Sequence, residues 1–281
     1  MKFNIAIAQI NPKLGNLKAN LKTHFDYIQR AIDEEAELIL FPELSLTGYW
    51  LRDQVYEVAL KADDEFWQPL LERSWEISLV VGFVEQADDF QFYNSQAYIE
   101  DGRIVHIHRK VYLPTYGMFE ERRFFSPGQH VRAFDTKFGR VGMLVCNDWW
   151  HATGPLILAQ DGATLMLAPA NSPIRGVSND TASNNTRVWE SLMKFHSKVQ
   201  SSYVVFANRV GFDDGVGFWG GSGVWQPNGH EQARARLNKE ELLVTEIDDS
   251  LIRFERIYSP LVRDERNDVT MRELQRLMAR E

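Results

Sequence analysis

The sequence predicts an α/β fold built as a four-layer α-β-β-α sandwich. Short strand-like apolar runs alternate with segments of helical periodicity, and helices that must cover two sheets produce this layering. The length of 281 residues suits one large α/β domain. No Pro/Ser-rich linker, internal repeat or low-complexity segment interrupts the pattern, so residues 1–281 are predicted to form a single domain.

The chain begins with a predicted strand, helix and second strand. Apolar residues alternate from Phe3 to Ile7, which indicates a strand. Asn16 can cap a following helix, because its side-chain oxygen can accept a hydrogen bond from the first turn. Apolar residues of that helix recur every three or four positions, at Leu17, Leu21, Phe25, Ile28 and Ile32. Residues 38–41 then indicate the next strand, so the region predicts a β-α-β unit.

The next region predicts a helix followed by two hairpins. Residues 54–74 have the composition of a helix and precede a strand at 77–84. Strands at 94–100 and 103–108 flank Asp101 and Gly102, a dipeptide typical of tight hairpin turns. A further pair of strands, at 131–136 and 140–146, turns around residues 137–139.

The second half of the chain continues this alternation. Predicted helices lie at 155–161 and 182–200, and predicted strands at 163–168, 203–207, 223–226 and 242–247. Residues 171–185 form the longest irregular stretch after Cys146, and such a loop either borders a substrate pocket or lies on the solvated surface. Residues 253–281 are expected to form an extended arm followed by a short helix at 269–280.

Composition and charge exclude several classes of function. The formal net charge is −8, and lysine and arginine are dispersed rather than clustered, which argues against a nucleic-acid surface. The single cysteine excludes an intrachain disulfide, and the N-terminal apolar segment is too short for a signal peptide. The longest apolar runs are far below membrane-spanning length. We therefore expect a soluble cytoplasmic protein with no membrane or nucleic-acid partner.

Three strand-like segments each end close to a chemically reactive side chain. These side chains are Glu43, Lys110 and Cys146. A thiol of ordinary pKa is mostly protonated at neutral pH, so it needs a nearby cation to favour the thiolate and a base to accept its proton. A lysine and a glutamate supply both, which is the inventory of a cysteine hydrolase. Each residue alone would more often be structural or solvated, but their joint occurrence favours function.

The histidines form no comparable pattern. His106 and His108 share one strand face and His151 follows the cysteine, but no third ligand stands at a spacing typical of a metal site. The sequence therefore predicts neither a bound metal nor another cofactor.

Three blocks of sequence resemble the signature blocks of the nitrilase, or carbon-nitrogen hydrolase, superfamily. They are Phe-Pro-Glu-Leu-Ser-Leu-Thr-Gly-Tyr (41–49), Lys-Val-Tyr-Leu-Pro-Thr-Tyr-Gly-Met-Phe-Glu-Glu-Arg-Arg-Phe-Phe (110–125) and Gly-Met-Leu-Val-Cys-Asn-Asp (142–148). The resemblance covers nearly the whole chain and implies the α-β-β-α sandwich of that family. It also implies Glu43 as general base, Lys110 as electrostatic stabiliser and Cys146 as nucleophile.

The same resemblance implies further residues near the nucleophile. A second carboxylate, aligned to Glu121 rather than Glu120, would hold the substrate amide or the Lys110 ammonium in register. The backbone N–H of Asn147 would join Lys110 in stabilising the oxyanion of an acyl-transfer reaction.

Substrate-binding residues are expected around these groups. The candidates are Tyr49, Tyr116, Asn147, Trp149, Trp150 and Arg175. The two tryptophans directly follow the nucleophile segment, so they are either core aromatics or walls of the pocket. N-carbamoyl-amino-acid hydrolases bind a substrate carboxylate through arginines near this position, which the tryptophans occupy here. A carboxylate-bearing substrate is therefore less expected, although Arg175 or Arg187 could still bind one.

The resemblance predicts an amidase that cleaves a small, partly apolar carboxamide to a carboxylic acid and ammonia through a cysteine thioester. Three alternatives stay open: a nitrilase, an N-carbamoyl amine or amino-acid hydrolase, and a catalytically silent binding protein of the same fold. Residues 113–123 also resemble the glutaminase part of glutamine-dependent NAD synthetases. This chain ends before an ATP-using synthetase domain, so ammonia channelling within one polypeptide is not expected.

The C-terminal residues also lead to an expectation about assembly. In the family, such tails commonly pack across a dimer interface. The resemblance therefore implies a homodimer or higher homo-oligomer, with residues 253–281 as an arm at the interface.

Overall fold

Two mixed β-sheets pack face to face and carry helices on both outer faces. The computed structural model describes residues 1–174 and 184–280. The predicted α/β class and the four-layer α-β-β-α arrangement are confirmed.

The strands and helices follow one another in short alternating segments. The strands are β1 (Lys2–Gln9), β2 (Leu38–Leu40), β3 (Ser78–Gln86), β4 (Phe92–Glu100), β5 (Arg103–Arg109), β6 (Phe134–Thr136), β7 (Gly139–Met143), β8 (Leu165–Ala170), β9 (Tyr203–Asn208), β10 (Val210–Asp213), β11 (Val216–Trp219), β12 (Gly223–Trp225), β13 (Glu231–Arg234) and β14 (Glu241–Asp248). The helices are α1 (Leu17–Asp33), α2 (Val55–Val58), α3 (Gln68–Arg73), α4 (Glu121–Phe124), α5 (Thr153–Gln160), α6 (Asn184–Val199), α7 (Asp249–Tyr258), α8 (Leu261–Asp264) and α9 (Asn267–Met278).

Within the described residues, each large sheet contains six strands. The first has the order β14-β1-β2-β3-β4-β5, and the second has the order β13-β12-β9-β8-β7-β6. β2 is parallel to both β1 and β3, and β7, β8 and β9 are parallel neighbours in the other sheet. The last strand, β14, pairs antiparallel with β1. The chain therefore builds most of the first sheet, then the second, and finally returns to the first.

Successive side chains of β1 point to opposite faces of the sheet, and both faces contact an apolar layer. Phe3, Ile5 and Ile7 face the core between the two sheets, whereas Ala6 and Ala8 face the layer formed with α1. Both faces of the strand are apolar because both faces of the sheet are covered. α1 starts as predicted, since the Asn16 side chain accepts a hydrogen bond from the backbone N–H of Ala19 at 3.0 Å. On the other outer face, α5 and α6 pack against the second sheet.

The predicted helix at 54–74 is wrong as one continuous element. The chain forms α2, turns to an extended conformation at Ala59, and makes a β-bridge between Leu60 and Glu85 of β3. The Asp64 side chain then caps a 3₁₀ turn that leads into α3, accepting from the backbone N–H of Phe66. Pairing with the edge of β3 overrides the local helical preference.

The predicted extended arm from residue 253 is also wrong. Residues 249–258 form α7, because Asp248 caps the helix by accepting from the backbone N–H of Ser250 at 2.9 Å. α7 buries Ile252 and Glu255 against the body of the molecule. The predicted helix at 269–280 corresponds to α9, which begins at Asn267.

Two strand predictions were too long, and one loop cannot be compared in full. The strand predicted at 131–136 is limited to β6, and the strand predicted at 140–146 ends at Met143, so Cys146 follows the strand. Most of the predicted loop at 171–185 lies outside the described residues, as does the predicted start of the helix at 182. Within the described ranges, no helix is both long enough and apolar enough to span a bilayer.

Candidate active site

Glu43, Lys110 and Cys146 lie at strand ends and meet in one place. Glu43 follows β2 and Lys110 follows β5, both in the first sheet, whereas Cys146 follows β7 in the second. The Lys110 Nζ donates to Glu43 Oε1 at 2.7 Å. The backbone N–H of Asn171 donates to Glu43 Oε2 at 2.8 Å. The Cys146 thiol lies close enough to Glu43 and Lys110 that these two groups shift its pKa in opposite directions. The two sheets therefore bring the carboxylate, the ammonium and the thiol together.

A second carboxylate completes this cluster. Glu121, the first residue of α4, accepts from Lys110 Nζ at 2.7 Å through its Oε1 atom. The same oxygen accepts from the Tyr49 hydroxyl at 2.5 Å. Glu121, and not the exposed Glu120, thus contacts Lys110, in agreement with the alignment. Both carboxylates and the ammonium are buried, with 0% exposure for the Lys110 side chain.

Two asparagines that the sequence analysis did not identify hold Glu43. Asn94 of β4 donates from Nδ2 to Glu43 Oε1 at 2.7 Å. Asn171, directly after β8, donates from Nδ2 to the backbone carbonyl of Glu43 at 2.7 Å. Asn94 is the third residue of β4 and Asn171 follows β8, so both lie near a strand end. A polar residue at such a position beside a buried strand was the available signal. Hydrogen bonds to a charged carboxylate are stronger than hydrogen bonds between neutral groups, so Asn94 and Lys110 together fix the Oε1 atom of Glu43.

The segment that carries Glu43 lies so close to β3 that there is no room for a side chain at Gly82. A Cβ atom at Gly82 would lie 2.4 Å from the backbone nitrogen of Leu44 and 2.7 Å from the carbonyl oxygen of Pro42. The backbone N–H of Leu46 donates to the Gly82 carbonyl at 2.9 Å. The glycine therefore lets the segment that carries Glu43 lie directly on the sheet.

The surroundings of the three ionisable groups set their protonation. Burial raises the pKa of the Cys146 thiol well above its usual value, and Glu43 raises it further while Lys110 opposes the shift. Burial lowers the pKa of Lys110, but Glu121 and Glu43 outweigh burial and raise it well above its usual value. The ammonium is therefore charged and the resting thiol protonated at neutral pH. Lys110 favours the thiolate, but burial and the two carboxylates outweigh its effect.

Glu121 titrates in a different range from an exposed glutamate. Burial raises the pKa of Glu121 to about 7, Lys110 acts in the opposite direction, and Glu43 adds to the rise. The cluster therefore gains a proton as the pH falls through neutrality.

A cavity of about 130 Å³ opens onto Cys146. Its walls are mostly aromatic or proline side chains, with three neutral polar residues. The lining residues are Tyr49, Pro114, Tyr116, Phe119, Cys146, Asn147, Trp150, Ser172, Pro173, Asn185 and Trp189. The Tyr116 hydroxyl donates to Asn147 Oδ1 at 3.2 Å, which links two of the predicted residues across the cavity. Tyr49, Tyr116, Asn147 and Trp150 of the predicted set thus border it.

Trp149 does not reach the cavity, and the prediction that it contacts substrate is corrected. Its side chain is fully buried, and its Nε1 donates to the backbone carbonyl of Leu144 at 2.8 Å. Residues 146–150 form a 3₁₀ turn, in which consecutive side chains point about 120° apart. Trp149 therefore enters the core, while Trp150 is 42% exposed and borders the cavity. Arg175 lies outside the described residues.

The histidines noted in the sequence have other contacts. His106 stacks on Phe134, and His151 stacks on Tyr112 with ring centroids 3.6 Å apart. His108 contacts Asp148 through Nε2 at 2.9 Å. Among the residues that the structure describes, no group of three or more His, Cys, Asp or Glu side chains could hold a metal ion.

Comparison with known proteins identifies relatives of several kinds. A glutamine-dependent NAD(+) synthetase from Acinetobacter baylyi is 32% identical over 256 residues, which cover 91% of this chain and 46% of the synthetase. The chain spans less than half the length of the NAD synthetases it matches first. A nitrilase from Pyrococcus abyssi is 29% identical over 90% of this chain and 92% of its own length.

Solved structures share the fold. A carbon-nitrogen hydrolase from Helicobacter pylori superposes with a TM-score of 0.84 at 24% identity, covering 95% of this chain and 97% of the other. This similarity supports the α-β-β-α sandwich. The family model for carbon-nitrogen hydrolases matches residues 4–256, which is most of the sequence. The chain therefore belongs to the carbon-nitrogen hydrolase family.

Proposed function

We propose that this carbon-nitrogen hydrolase cleaves a small, uncharged carboxamide to a carboxylic acid and ammonia. The observation that carries the proposal is a thiol at the wall of a cavity, close to a buried carboxylate that also binds an ammonium. A thiol, a base and a fixed cation are what acyl transfer through a thioester requires.

In the first half of the proposed reaction, Glu43 takes the proton of Cys146 as the sulfur attacks the amide carbon. A base must act in this step, because the raised pKa of the thiol keeps it protonated at rest. The Lys110 ammonium and the backbone N–H of Asn147 stabilise the oxyanion of the tetrahedral intermediate. Such donors are worth about 3–4 kcal/mol each in favourable sites. Glu43 then returns the proton to the nitrogen, and ammonia leaves.

In the second half, water cleaves the thioester. Glu43 removes a proton from the water as its oxygen attacks the acyl carbon, the carbon–sulfur bond breaks, and the sulfur takes the proton back. The products are a carboxylic acid and the resting thiol. Glu121 keeps the Lys110 ammonium oriented throughout, since its Oε1 accepts from Lys110 and from Tyr49.

The walls of the cavity favour an apolar or aromatic acyl group. Tyr116 and Trp150, 54% and 42% exposed, stand at the cavity with the Trp189 ring in edge contact with Trp150. The polar walls are already paired: Asn185 Nδ2 donates to Ser172 Oγ at 2.8 Å, and Asn147 is bonded to Tyr116. Flat apolar groups gain most from such surroundings. We therefore propose a neutral carboxamide as substrate, in preference to the glutamine named for the NAD synthetase relatives.

Trapping of the acyl-enzyme tests this proposal. The protein is incubated with benzamide, butyramide and glutamine, quenched in acid, and examined by mass spectrometry of the intact chain and of the peptide that contains Cys146. We expect an acyl adduct on Cys146 from benzamide or butyramide, with release of ammonia. Loss of the adduct in Cys146→Ala is the matched control. Turnover of all three amides without any adduct on Cys146 would contradict the thioester route, and a preference for glutamine would contradict the substrate class.

A nitrilase reaction is the second candidate. The nitrilase from Pyrococcus abyssi matches this chain over nearly its full length, unlike the synthetases. The same thiol can attack a nitrile carbon, and benzonitrile assayed beside benzamide separates the two activities. An N-carbamoyl compound in the same panel tests the carbamoyl hydrolase alternative. A Cys146 thiol that resists alkylation would instead favour a silent binding protein.

The pH dependence of the proposed reaction follows from the Glu121 pKa near 7. We expect kcat/KM to fall as the pH drops through about 7, because protonated Glu121 no longer attracts Lys110. In Glu121→Gln the change near pH 7 should be absent and kcat/KM should be low at all pH values, because glutamine is uncharged in the same way as protonated Glu121. The measurement is kcat/KM against pH, with Glu120→Gln as the neighbouring control. An acid limb near pH 7 that persists in Glu121→Gln would rule out Glu121 as the titrating group.

We further propose a cytoplasmic homodimer with residues 253–281 at the interface. The reaction needs a reduced thiol, which suits a reducing compartment. Within the described part of the chain, no residue of α9 is buried, and Ile257 of α7 is 76% exposed. Apolar surface of this kind marks interfaces. Light scattering should give twice the chain mass of 32.5 kDa, and Ile257→Asp should shift it towards monomer, whereas Phe212→Asp should not. A monomeric wild-type protein would exclude the proposal.

A further inference from the structure

We propose that Asp148, together with His108, is a positioning residue that sets the placement of Lys110 relative to Cys146. The inference rests on the proposed function, because it concerns the geometry of the same thiol and ammonium. Asp148 is fully buried and touches neither of these two side chains in the hydrogen bonds it makes. Its effect is exerted through the backbone on either side of them.

The Asp148 carboxylate joins two segments that are distant in sequence. Its Oδ1 atom accepts from the backbone N–H groups of Val111 and Tyr112 at 3.0 and 2.8 Å. Its Oδ2 atom accepts from the backbone N–H of Val145 at 3.0 Å and lies 2.9 Å from Nε2 of His108. Three of these partners flank Lys110, at positions −2, +1 and +2, and the fourth directly precedes Cys146. One carboxylate thus ties the end of β5 to the turn that carries the thiol.

The backbone conformation of Cys146 explains why the surrounding hydrogen bonds matter. Cys146 has a φ of +48°, in the left-handed region that residues other than glycine seldom adopt. Such a conformation persists only where the surrounding structure imposes it. The bond from Val145 N–H to Asp148 closes the turn around Cys146 on itself. A second link between the two segments, from Asn147 Nδ2 to the Tyr112 carbonyl at 3.1 Å, is a neutral bond and does not hold Val145.

The hydrogen-bond partners of the Asp148 carboxylate are backbone N–H groups and a histidine ring. Among the described residues, none of these partners is a lysine or an arginine. Three backbone N–H groups and the His108 ring point at its two oxygens. An asparagine at this position would have to point its NH₂ group at N–H donors on one side. The NH₂ group cannot accept hydrogen bonds from these donors and would be repelled by them, so one of the two segments would no longer be held.

The test is the rate at which iodoacetamide alkylates Cys146, which requires no substrate. We expect Asp148→Asn to stay folded by circular dichroism and to be alkylated on the order of 10- to 100-fold more slowly, as displacements near 1 Å produce. The matched control is Glu100→Gln, because Glu100 is also buried and accepts from Ser78, Tyr98 and the Lys137 backbone, at the opposite end of β4 from Asn94. It should lose stability but keep the wild-type alkylation rate.

The His108 side chain supplies a second pair of variants in case Asp148→Asn does not fold. His108→Gln keeps a donor for Asp148 and should retain most of the alkylation rate, whereas His108→Leu removes the donor and should slow alkylation. Folded Asp148→Asn or His108→Leu protein that reacts at the wild-type rate would overturn the inference. A wild-type thiol that does not react would instead refute the proposed function, so the two failures are distinguishable.

Discussion

Cys146→Ala should lose essentially all hydrolytic activity, on the order of 10⁵-fold or more, while keeping the wild-type fold. The loss is large because no thioester can form without the sulfur, and Glu43 and Lys110 then act on no nucleophile. The effect on stability should stay within about 1 kcal/mol, since the side chain borders a cavity and leaves no new enclosed void. Turnover of the most active amide and thermal unfolding measure the two quantities.

Cys146→Ser is the control that preserves shape. A serine hydroxyl occupies nearly the same volume but is a far weaker acid, so Glu43 cannot activate it to the same extent. It should be almost as inactive as alanine. Full activity in either variant would remove the assignment of Cys146 as nucleophile.

Lys110→Met should be the most destabilising single change in the site, by about 3–5 kcal/mol, and should also abolish turnover. The substitution removes the partner of two buried carboxyl groups, which must then take up protons or remain as unpaired charges inside the protein. Urea unfolding of the variant and of wild type gives the free-energy difference. Adding Glu121→Gln to Lys110→Met should recover part of the stability, because it removes one of the two buried carboxyl groups that have lost their cation.

Lys198→Met is the matched control for this experiment. Lys198 also donates to a carboxylate, Glu255, at 2.7 Å, but its side chain is 40% exposed. Solvent screens that pair, so its loss should cost no more than about 1 kcal/mol. Equal destabilisation by the two methionine substitutions would mean that the burial of the Lys110 cluster has no energetic consequence.

Much of the fold could be predicted because local pattern and tertiary environment agree. β1, α1 and β2 follow from alternating apolar residues, a capping Asn16 and a period near 3.6. The segment at 54–74 fails because its apolar side chains fit a helix equally well, whereas Leu60 pairs with Glu85 only once β3 is present. The helix α7 was missed for a related reason, since burial of Ile252 against the body decides it.

The residues of the site also fall into those that could be predicted from the sequence and those that could not. Glu43, Lys110 and Cys146 could be predicted because sequence blocks mark them at the ends of strands. Asn94 and Asn171 could not, because their contact with Glu43 depends on how the strands of two sheets are aligned. Trp149 and Trp150 are chemically alike, and only the pitch of a 3₁₀ turn decides which one enters the core.

The division of the reactive groups between the two sheets has a consequence for how the molecule could lose activity. Glu43 and Lys110 belong to one sheet and Cys146 belongs to the other. The apolar core between the sheets and hydrogen bonds such as those of Asn171 and Asp148 keep the two halves in register. A fragment that contains one sheet without its counterpart would carry an incomplete set of reactants. Hydrolysis thus requires the assembled sandwich, and a measurement of turnover would report whether the two sheets have packed together.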